Sequence, residues 1–511
     1  MSARISVASI LAESARRYPT KDALVLGDTR LTYEQVWGMA RRYAAVLRAD
    51  GVGPGDRVAL LLPNIPHFAF AYYGAAALGA TIVPVHALLK ADEIAFTLTD
   101  SACVALVTAA PLLAEASKGA EMAGVRLYSV LDSDADHSEV ARIDQLAMQT
   151  EPVPALVPRE PQDEAVILYT SGTTGKPKGA VLTQDNILWN TTMCAFDIID
   201  IKHDDVALGA LPLFHSFGQT CVMNSGFRVG CTIVLVPRFD GVTALDLMVK
   251  ENVTYFAGVP TMYMALLAAT EQTESRPKLR LAASGGAAIP VAVINRVKEV
   301  FGADVLEGYG LSETSPVATF NQEIYGRKPG SIGSSIWGVD VAIANADLEG
   351  EIELLPTNTN GEIVIRGHNV FSGYLNQPEA TAAVMVDGWF RTGDVGYLDD
   401  DGFFFIVDRK KDLIIRGGFN VYPREVEEAI AQHPAVAQVA VVGVADEHYG
   451  EEIAAVVVCV SGESVVEVEL IEWVKGRIGQ HKYPRRIYIR ESLPTGPSGK
   501  VLKRVIVEEL G

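Results

Sequence analysis

The residues best suited to chemistry lie in one short segment, from Tyr169 to Gly179, which is rich in glycine, hydroxyl and lysine residues. Three glycines let its backbone turn several N–H groups toward one anion. The hydroxyls and lysines supply further donors. An apolar strand is predicted before the segment, over 165–168, and another after it, over 180–182. The pattern therefore predicts a loop that binds phosphate groups.

This segment differs from the phosphate-binding loop GxxxxGK followed by Ser or Thr. That motif needs a glycine five residues before Gly175, where Thr170 stands, and a hydroxyl residue after Lys176, where Pro177 stands. A glycine-rich surface hairpin is the structural alternative. Four hydroxyl residues and two lysines in so short a span argue against it.

The elements that must position this loop follow an alternation of helix and strand patterns through the first half of the chain. Thr32 and Gln35 form a capping box that predicts a helix to about Asp50. The uncharged stretch 68–85 is interpreted as a core helix followed by a buried strand, and not as a membrane span, because it contains glycines and few large aliphatic residues. Such alternation is typical of parallel sheets with helices on their faces.

The pattern changes in the second half. From about 331 to 406, short alternating runs such as 339–343, 352–354 and 362–365 are separated by turn residues, which predicts an antiparallel sheet or distorted barrel. The charged run 408–412 then separates this region from a tail with its own apolar segments. We therefore predict an N-terminal domain over 1–408 and a C-terminal domain over 409–511.

Composition excludes several classes of protein. The chain has 511 residues, of which 49% are hydrophobic, so disorder throughout is excluded. Its net charge of −20, with no long basic run, disfavours general nucleic-acid binding. Five scattered cysteines and the absence of a signal-peptide pattern predict free thiols and a cytoplasmic protein that is not an integral membrane protein.

Further motifs follow the first in a fixed order, and together they resemble those of the adenylate-forming superfamily of acyl-CoA synthetases, peptide-synthetase adenylation domains and luciferases. The resemblance covers essentially the whole chain and lies closest to the fatty-acid–CoA ligases. It implies an α/β fold in which the large N-terminal domain has two βα-type sheet subdomains and a distorted β-barrel, followed by a small mobile α+β C-terminal domain. The motifs are 169–179, 211–218, 284–287, 307–314, 389–394, 408–412, 416–423 and 493–500.

In the N-terminal domain the resemblance implies a complete set of contacts to ATP and to a carboxylate. His215 is expected to border the carboxylate, Tyr309 to stack on adenine, and Gly310 to line the acyl channel. Glu313 is expected to hold Mg²⁺, for which a carboxylate oxygen is a suitable hard ligand. The remaining expected contacts to nucleotide and phosphates are Thr170, Ser171, Gly172, Thr173, Thr174, Lys178, Gly285, Gly286, Ala287 and Thr314.

In the second half the resemblance assigns Asp394 to the ribose hydroxyls and Arg409 to the ribose or phosphate. Lys411 is expected near the hinge between the domains. Gly417 and Gly418 are expected beside the pantetheine of coenzyme A after the small domain turns. Lys500, on a Gly/Pro/Ser loop, is expected to be the catalytic lysine of adenylation.

The implied reaction has two steps. A carboxylic acid attacks the α-phosphate of ATP, releasing pyrophosphate, and coenzyme A then takes the acyl group. The second motif lacks the acidic residue that amino-acid-activating relatives use, and its surroundings are apolar, which suits an alkyl or aryl acid. The overall resemblance implies a medium- or long-chain fatty acid. An aryl or cinnamate-type acid is the close alternative.

Other possibilities stay open from sequence. They are an acyl carrier protein as the acceptor, a luciferase-like side activity, and an oligomer. A non-catalytic nucleotide-binding relative is disfavoured because the chain retains Thr173, Lys178, Glu313, Asp394 and Lys500.

Overall fold

A computed structural model describes residues 5–131, 140–170, 177–460, 462–495 and 501–510. The chain divides into two compact units. Unit 1 comprises Met1–Asp340 and Arg366–Ala383, and unit 2 comprises Val341–Ile365 and Val384–Gly511. Unit 2 thus combines part of the region predicted as a barrel, residues 341–365 and 384–406, with the C-terminal tail. The domain boundary after residue 408 stays a prediction.

The strands are β1 (Asp22–Leu26), β2 (Thr29–Thr32), β3 (Arg57–Leu61), β4 (Thr81–Pro84), β5 (Ala105–Ala109), β6 (Arg126–Val130), β7 (Ala141–Arg142), β8 (Glu164–Thr170), β9 (Lys178–Thr183), β10 (Val206–Gly209), β11 (Thr232–Leu235), β12 (Tyr255–Gly258), β13 (Leu281–Ser284), β14 (Val305–Gly310), β15 (Val317–Phe320), β16 (Ser334–Ser335), β17 (Val339–Ala344), β18 (Gly361–Gly367), β19 (Gly373–Tyr374), β20 (Met385–Val386), β21 (Trp389–Leu398), β22 (Phe404–Arg409), β23 (Ile414–Arg416), β24 (Phe419–Val421), β25 (Val436–Asp446), β26 (Gly450–Cys459) and β27 (Arg486–Ile489).

The α-helices are α1 (Ser9–Arg17), α2 (Tyr33–Ala49), α3 (Pro66–Ala77), α4 (Ala91–Asp100), α5 (Leu113–Ala123), α6 (Ile143–Met148), α7 (Gln184–Met193), α8 (Ser225–Val229), α9 (Gly241–Lys250), α10 (Pro260–Ala269), α11 (Val291–Phe301), α12 (Pro378–Val384), α13 (Pro423–Ala431), α14 (Glu467–Lys475) and α15 (Lys503–Leu510).

Two large sheets build unit 1. The first is parallel at its centre and gains antiparallel strands at its edges, in the order β16-β15-β14-β13-β12-β10-β11-β1-β2. The second is parallel from β8 to β7 and antiparallel at the other edge, in the order β19-β9-β8-β4-β3-β5-β6-β7. The predicted parallel sheets are confirmed at the centre of both.

Helices α2 and α3 show how local sequence sets these elements. The predicted capping box is present, because the Gln35 amide N–H donates to the Thr32 hydroxyl at 3.3 Å and the Gln35 side chain accepts from the Thr32 N–H at 2.8 Å. In α3 every residue except His67 is buried, which explains why this stretch carries no charge. Within the described ranges, no helix is both long enough and apolar enough to span a membrane.

Unit 2 contains two smaller sheets. The predicted antiparallel region forms the order β17-β18-β21-β20, with β22 paired to β21. The segment 352–354 contributes only a bridge from Leu354 to Ala344 and no strand. The tail forms a second sheet, β24-β23-β26-β25, with β27 parallel to β26. This sheet packs on helices α13 and α14 around a core that includes Val441, Ile453 and Leu470.

Candidate active site

The predicted phosphate loop joins two neighbouring antiparallel strands. Thr170 ends β8 and lies opposite Lys178, which begins β9. The Thr170 hydroxyl donates to the Lys178 carbonyl oxygen at 3.5 Å. The pairing of β8 with β9 therefore holds the residues that flank the loop opposite each other. The predicted contacts Ser171, Gly172, Thr173 and Thr174 lie outside the described residues.

Glu313 lies close to this hairpin. It follows β14 in a short turn and is 7% exposed. Its Oε1 accepts a hydrogen bond from the Tyr374 hydroxyl at 2.9 Å, and its carbonyl oxygen accepts from the Phe371 N–H at 2.9 Å. The Lys178 Nζ lies 5.1 Å from the centre of the Tyr374 ring. Tyr374 thus contacts both Glu313 and Lys178, the first residue of the strand that follows the loop.

The environment of Tyr374 keeps its phenol protonated. Burial is the main cause that raises the pKa of Tyr374, and the neighbouring negative charge of Glu313 raises it further. A neutral phenol donates its proton to the carboxylate throughout the ordinary pH range. No local pattern around Tyr374 in the sequence indicates this contact, because its partner Glu313 is 61 positions away.

The turn that carries Glu313 is fixed by its own backbone. The Thr314 hydroxyl accepts from the Leu311 N–H at 2.8 Å and donates to the Pro316 carbonyl oxygen at 2.5 Å. A Cβ atom on Gly310 would lie 1.6 Å from that same Pro316 oxygen. Gly310 is therefore required by a close backbone approach. Its predicted place in an acyl channel stays a prediction.

Three further motifs meet around Gly285. The ring of Phe217 and the carbonyl oxygen of Gly308 each lie 3.4 Å from the point where a Cβ on Gly285 would stand. His215 directs its Nδ1 at the Phe217 N–H, which donates at 3.2 Å, so its proton is assigned to Nε2. Tyr309 is half-buried on β14. This strand pairs directly with β13, the strand that precedes Gly285.

Gly286 and Ala287 follow β13 and are exposed. Gly286 has a φ of +80°, a conformation that favours glycine. Unit 1 therefore places two groups of predicted residues on described elements. One comprises Thr170, Lys178, Glu313 and Thr314, and the other comprises His215, Gly285, Gly286, Ala287, Tyr309 and Gly310.

In unit 2, Asp394 and Arg409 lie opposite each other on β21 and β22. The Arg409 Nε is 3.0 Å from the Asp394 Oδ1, and the Asp394 side chain is 5% exposed against 45% for Arg409. Lys411 follows in the turn Lys410–Asp412. Burial, and then the positive charge of Arg409, lower the pKa of Lys411. These three predicted residues thus form one charged group.

Gly417 and Gly418 form the two-residue turn between β23 and β24. Arg416 and Phe419 pair on either side of it, and the glycines have φ values of +56° and +83°. Positive φ at both central residues defines a type I′ turn, which glycine adopts without strain. Lys500 lies outside the described residues.

The carboxylate of Glu313 fits a magnesium ion. Mg²⁺ prefers oxygen ligands, and commonly takes only one or two carboxylates together with waters and phosphate oxygens of the substrate. The buried carboxylate of Glu313, bonded to Tyr374 near the strand that follows the predicted phosphate loop, is a donor of that kind.

Comparison with known proteins identifies the class. Residues 11–375 match the AMP-binding enzyme family, and residues 425–500 match the AMP-binding enzyme C-terminal domain. The chain belongs to this family, the adenylate-forming enzymes, and the predicted resemblance is confirmed. Its fold is the predicted α/β fold of the family's CoA ligases.

Individual relatives narrow the class. The chain is 39% identical to a long-chain-fatty-acid–CoA ligase of Bacillus subtilis (strain 168), over 98% of this chain and 94% of the relative. It is 37% identical to a feruloyl-CoA synthase of an Amycolatopsis species, over 97% of each chain. Among solved structures, ATP-bound MatB from Rhodopseudomonas palustris matches with a TM-score of 0.89 and 31% identity over 99% of each chain. The protein is an ATP-dependent carboxylate–CoA ligase, an acid–thiol ligase that uses ATP, Mg²⁺ and coenzyme A.

Proposed function

We propose that the acid is a medium- or long-chain fatty acid, activated as acyl-AMP and transferred to coenzyme A. The observation that carries the proposal is a group of three buried apolar residues shortly after His215. They are Cys221, Val222 and Met223, each at most 1% exposed, within the π-helical segment Gly218–Asn224. The motif offers no carboxylate for the ammonium group of an amino acid. The long-chain specificity named for the Bacillus relative supports the same choice.

An aryl acid is the second candidate. The flat ring of Phe217 beside Gly285 suits an aromatic substrate that stacks on it. The activity named for the Amycolatopsis relative, feruloyl-CoA synthesis, points the same way.

In the first step, the residues proposed to bind ATP act by alignment and by neutralising charge. An oxygen of the substrate carboxylate attacks the α-phosphorus of ATP, and the bond from that phosphorus to the bridging oxygen of pyrophosphate breaks. Thr170, Lys178 and the loop 171–176 grip the phosphates, and Lys500 stabilises charge at the α-phosphate. Mg²⁺ held by Glu313 supplies further positive charge to the phosphate oxygens when bound. His215 borders the carboxylate.

Asp394 and Arg409 hold the ribose in this proposal. After pyrophosphate leaves, the C-terminal domain, residues 409–511, turns about the hinge near Lys411. This rotation removes Lys500 and brings the Gly417–Gly418 turn beside the pantetheine arm. The thiol then attacks the acyl carbonyl carbon, and AMP leaves with the electron pair of the broken C–O bond.

A substrate panel tests the choice of acid. Pyrophosphate release is measured with fatty acids from short to long and with benzoate- and cinnamate-type acids, with coenzyme A present or withheld. We expect the highest kcat/KM for medium or long alkyl chains and acyl-CoA as the product. A preference for aryl acids would establish the second candidate. Acylation of a carrier protein in place of coenzyme A would show the other acceptor.

A lysine variant tests the two-conformation cycle. Lys500→Ala is expected to abolish acyl-AMP formation and to leave thioester formation from supplied acyl-AMP largely intact. Lys475→Ala, at a lysine paired with Glu472 on the surface of α14, is the matched control. Equal loss of both half-reactions in Lys500→Ala would contradict the domain rotation.

A further inference from the structure

Tyr374 lies where two motifs of unit 1 meet. Its hydroxyl donates to Glu313 Oε1 at 2.9 Å, and its ring centre lies 5.1 Å from the Lys178 Nζ. Neither contact was expected from the sequence. We propose that Tyr374 is a positioning residue that fixes the Glu313 carboxylate for binding of Mg²⁺ with ATP.

The backbone around Tyr374 leaves its phenol little freedom. β19 pairs with β9, so that Tyr374 lies opposite Ala180, two residues after Lys178. The Tyr374 N–H donates to the Thr381 hydroxyl at 2.9 Å, and the Phe371 ring packs edge-on at a centroid distance of 4.9 Å. The strand that leaves the phosphate loop therefore also sets the position of the phenol.

Glu313 is held at two points by this same segment. The Phe371 N–H binds its backbone oxygen and the Tyr374 hydroxyl binds its carboxylate. The backbone and the side chain of Glu313 are thus both hydrogen-bonded to residues 371–374. This segment is in turn held by the pairing of β19 with β9. A shift of the phosphate loop and a shift of the carboxylate are coupled through one short strand.

The orientation of the Glu313 carboxylate matters for the binding of magnesium. It demands near-ideal octahedral geometry at about 2.0–2.1 Å from its ligands, so a carboxylate that rotates freely is a poor ligand. Hydrogen-bond partners that orient a metal ligand commonly change metal affinity by about 10- to 100-fold. The inference rests on the proposed assignment of Mg²⁺ to Glu313.

The test removes one hydroxyl. In Tyr374→Phe, ATP binding is measured by calorimetry with MgCl₂ and, separately, in EDTA, and pyrophosphate release is titrated with Mg²⁺. We expect the Kd of ATP in MgCl₂ and the half-saturating Mg²⁺ concentration each to rise by about tenfold. The Kd in EDTA is expected to stay within twofold of the wild-type value, because phenylalanine keeps the aromatic ring beside Lys178.

Tyr397→Phe is the matched control, since Tyr397 stacks on Phe405 at 4.9 Å in unit 2. It is expected to behave as the wild type in all three measurements. If Tyr374→Phe fails to fold, Thr381→Val replaces it. That variant removes the hydroxyl that accepts from the Tyr374 N–H, and it is expected to give a smaller shift that is again confined to MgCl₂.

Glu313→Gln separates this inference from the proposal beneath it. If Glu313→Gln leaves the Mg²⁺ dependence unchanged, the metal assignment itself is wrong. If Glu313→Gln weakens Mg²⁺-dependent binding and Tyr374→Phe does not, only the role of Tyr374 is wrong. Equal weakening in MgCl₂ and EDTA by Tyr374→Phe would also overturn the inference, because it would show a general effect on the pocket.

Discussion

The carboxylates proposed to hold Mg²⁺ and the ribose of ATP are built into the protein in different ways. Glu313 lies in a turn set by backbone packing, where Gly310 has no space for a side chain and the Thr314 hydroxyl is bonded on both sides. Asp394 lies on an antiparallel ladder whose register shifts after Val395, and its partner Arg409 is 45% exposed. Main-chain packing sets the turn that carries Glu313, whereas Asp394 pairs with a half-exposed arginine side chain.

Because of this difference, substitutions around Glu313 and around Asp394 should affect different properties of the protein. Around Glu313, a small change in shape must move backbone, because protein interiors tolerate little added volume. Around Asp394, the arginine can change partners without moving a strand, so it can bind a phosphate or ribose oxygen in turn. Substitutions that add volume in the first region should therefore lower stability, whereas those in the second should lower nucleotide affinity.

Gly310→Ala gives the largest expected effect. The added methyl would stand 1.6 Å from the Pro316 carbonyl oxygen, so β14 and the following turn cannot both keep their positions. We expect a loss of at least ~3 kcal/mol in the free energy of unfolding, and poor soluble yield. Urea unfolding and expression level measure both.

Gly38→Ala is its control, because Gly38 lies inside α2 with open space around its Cβ position. Alanine is the better helix former, so this variant should gain up to ~1 kcal/mol. A Gly310→Ala protein as stable as the wild type would contradict the steric account of this region.

Asp394→Asn should leave the fold intact and weaken nucleotide binding. The variant keeps the shape of the side chain and removes the charge that the ribose hydroxyls are proposed to meet. Loss of a hydrogen bond to a charged group costs about 1.5–3 kcal/mol, which corresponds to about 10- to 100-fold in Kd. Calorimetry with ATP or AMP measures this change, and the midpoint of thermal unfolding serves as the control. Unchanged ATP affinity would show that Asp394 is not the ribose contact.

Sequence predicted the first of these regions less completely than the second. Asp394 and Arg409 belong to two sequence motifs and are only 15 positions apart, on strands that pair directly. Glu313 was also found by its motif, but its partner Tyr374 arrives through the pairing of β19 with β9, which no local pattern indicates. The reason for Gly310 was likewise hidden, because the oxygen that excludes a side chain comes from a turn that only the folded chain forms.

The alternation of helix and strand patterns predicted the parallel centres of both large sheets, since each βα repeat is a local signal. The strand predicted over 180–182 is confirmed as β9, but its antiparallel pairing with β8 was not predicted, and β19 joins β9 only through a long-range pairing. The segment 352–354 shows the opposite error. Its alternating residues are typical of a strand, yet only Leu354 makes a ladder contact.

Substitutions at Gly418 should have the smallest effect and can show what the glycine turn does. No atom lies within 4 Å of its Cβ position, so strain at its φ of +83° is the whole structural cost. A left-handed conformation costs alanine about 1–2 kcal/mol, and asparagine adopts it more readily. Gly418→Ala should therefore destabilise the β23–β24 hairpin more than Gly418→Asn does, as measured by hydrogen exchange of its amides.

The KM for coenzyme A then distinguishes two reasons for the glycine. If the pantetheine arm passes directly over the turn, any side chain obstructs it, and the larger asparagine should raise KM at least as much as alanine. If only the turn conformation matters, KM should follow hairpin stability, and alanine should be the worse substitution. ATP affinity should stay at the wild-type value in both variants, because the turn is proposed to act only after the adenylate has formed. A parallel loss of ATP binding would place this turn with Asp394 in the first step of the reaction.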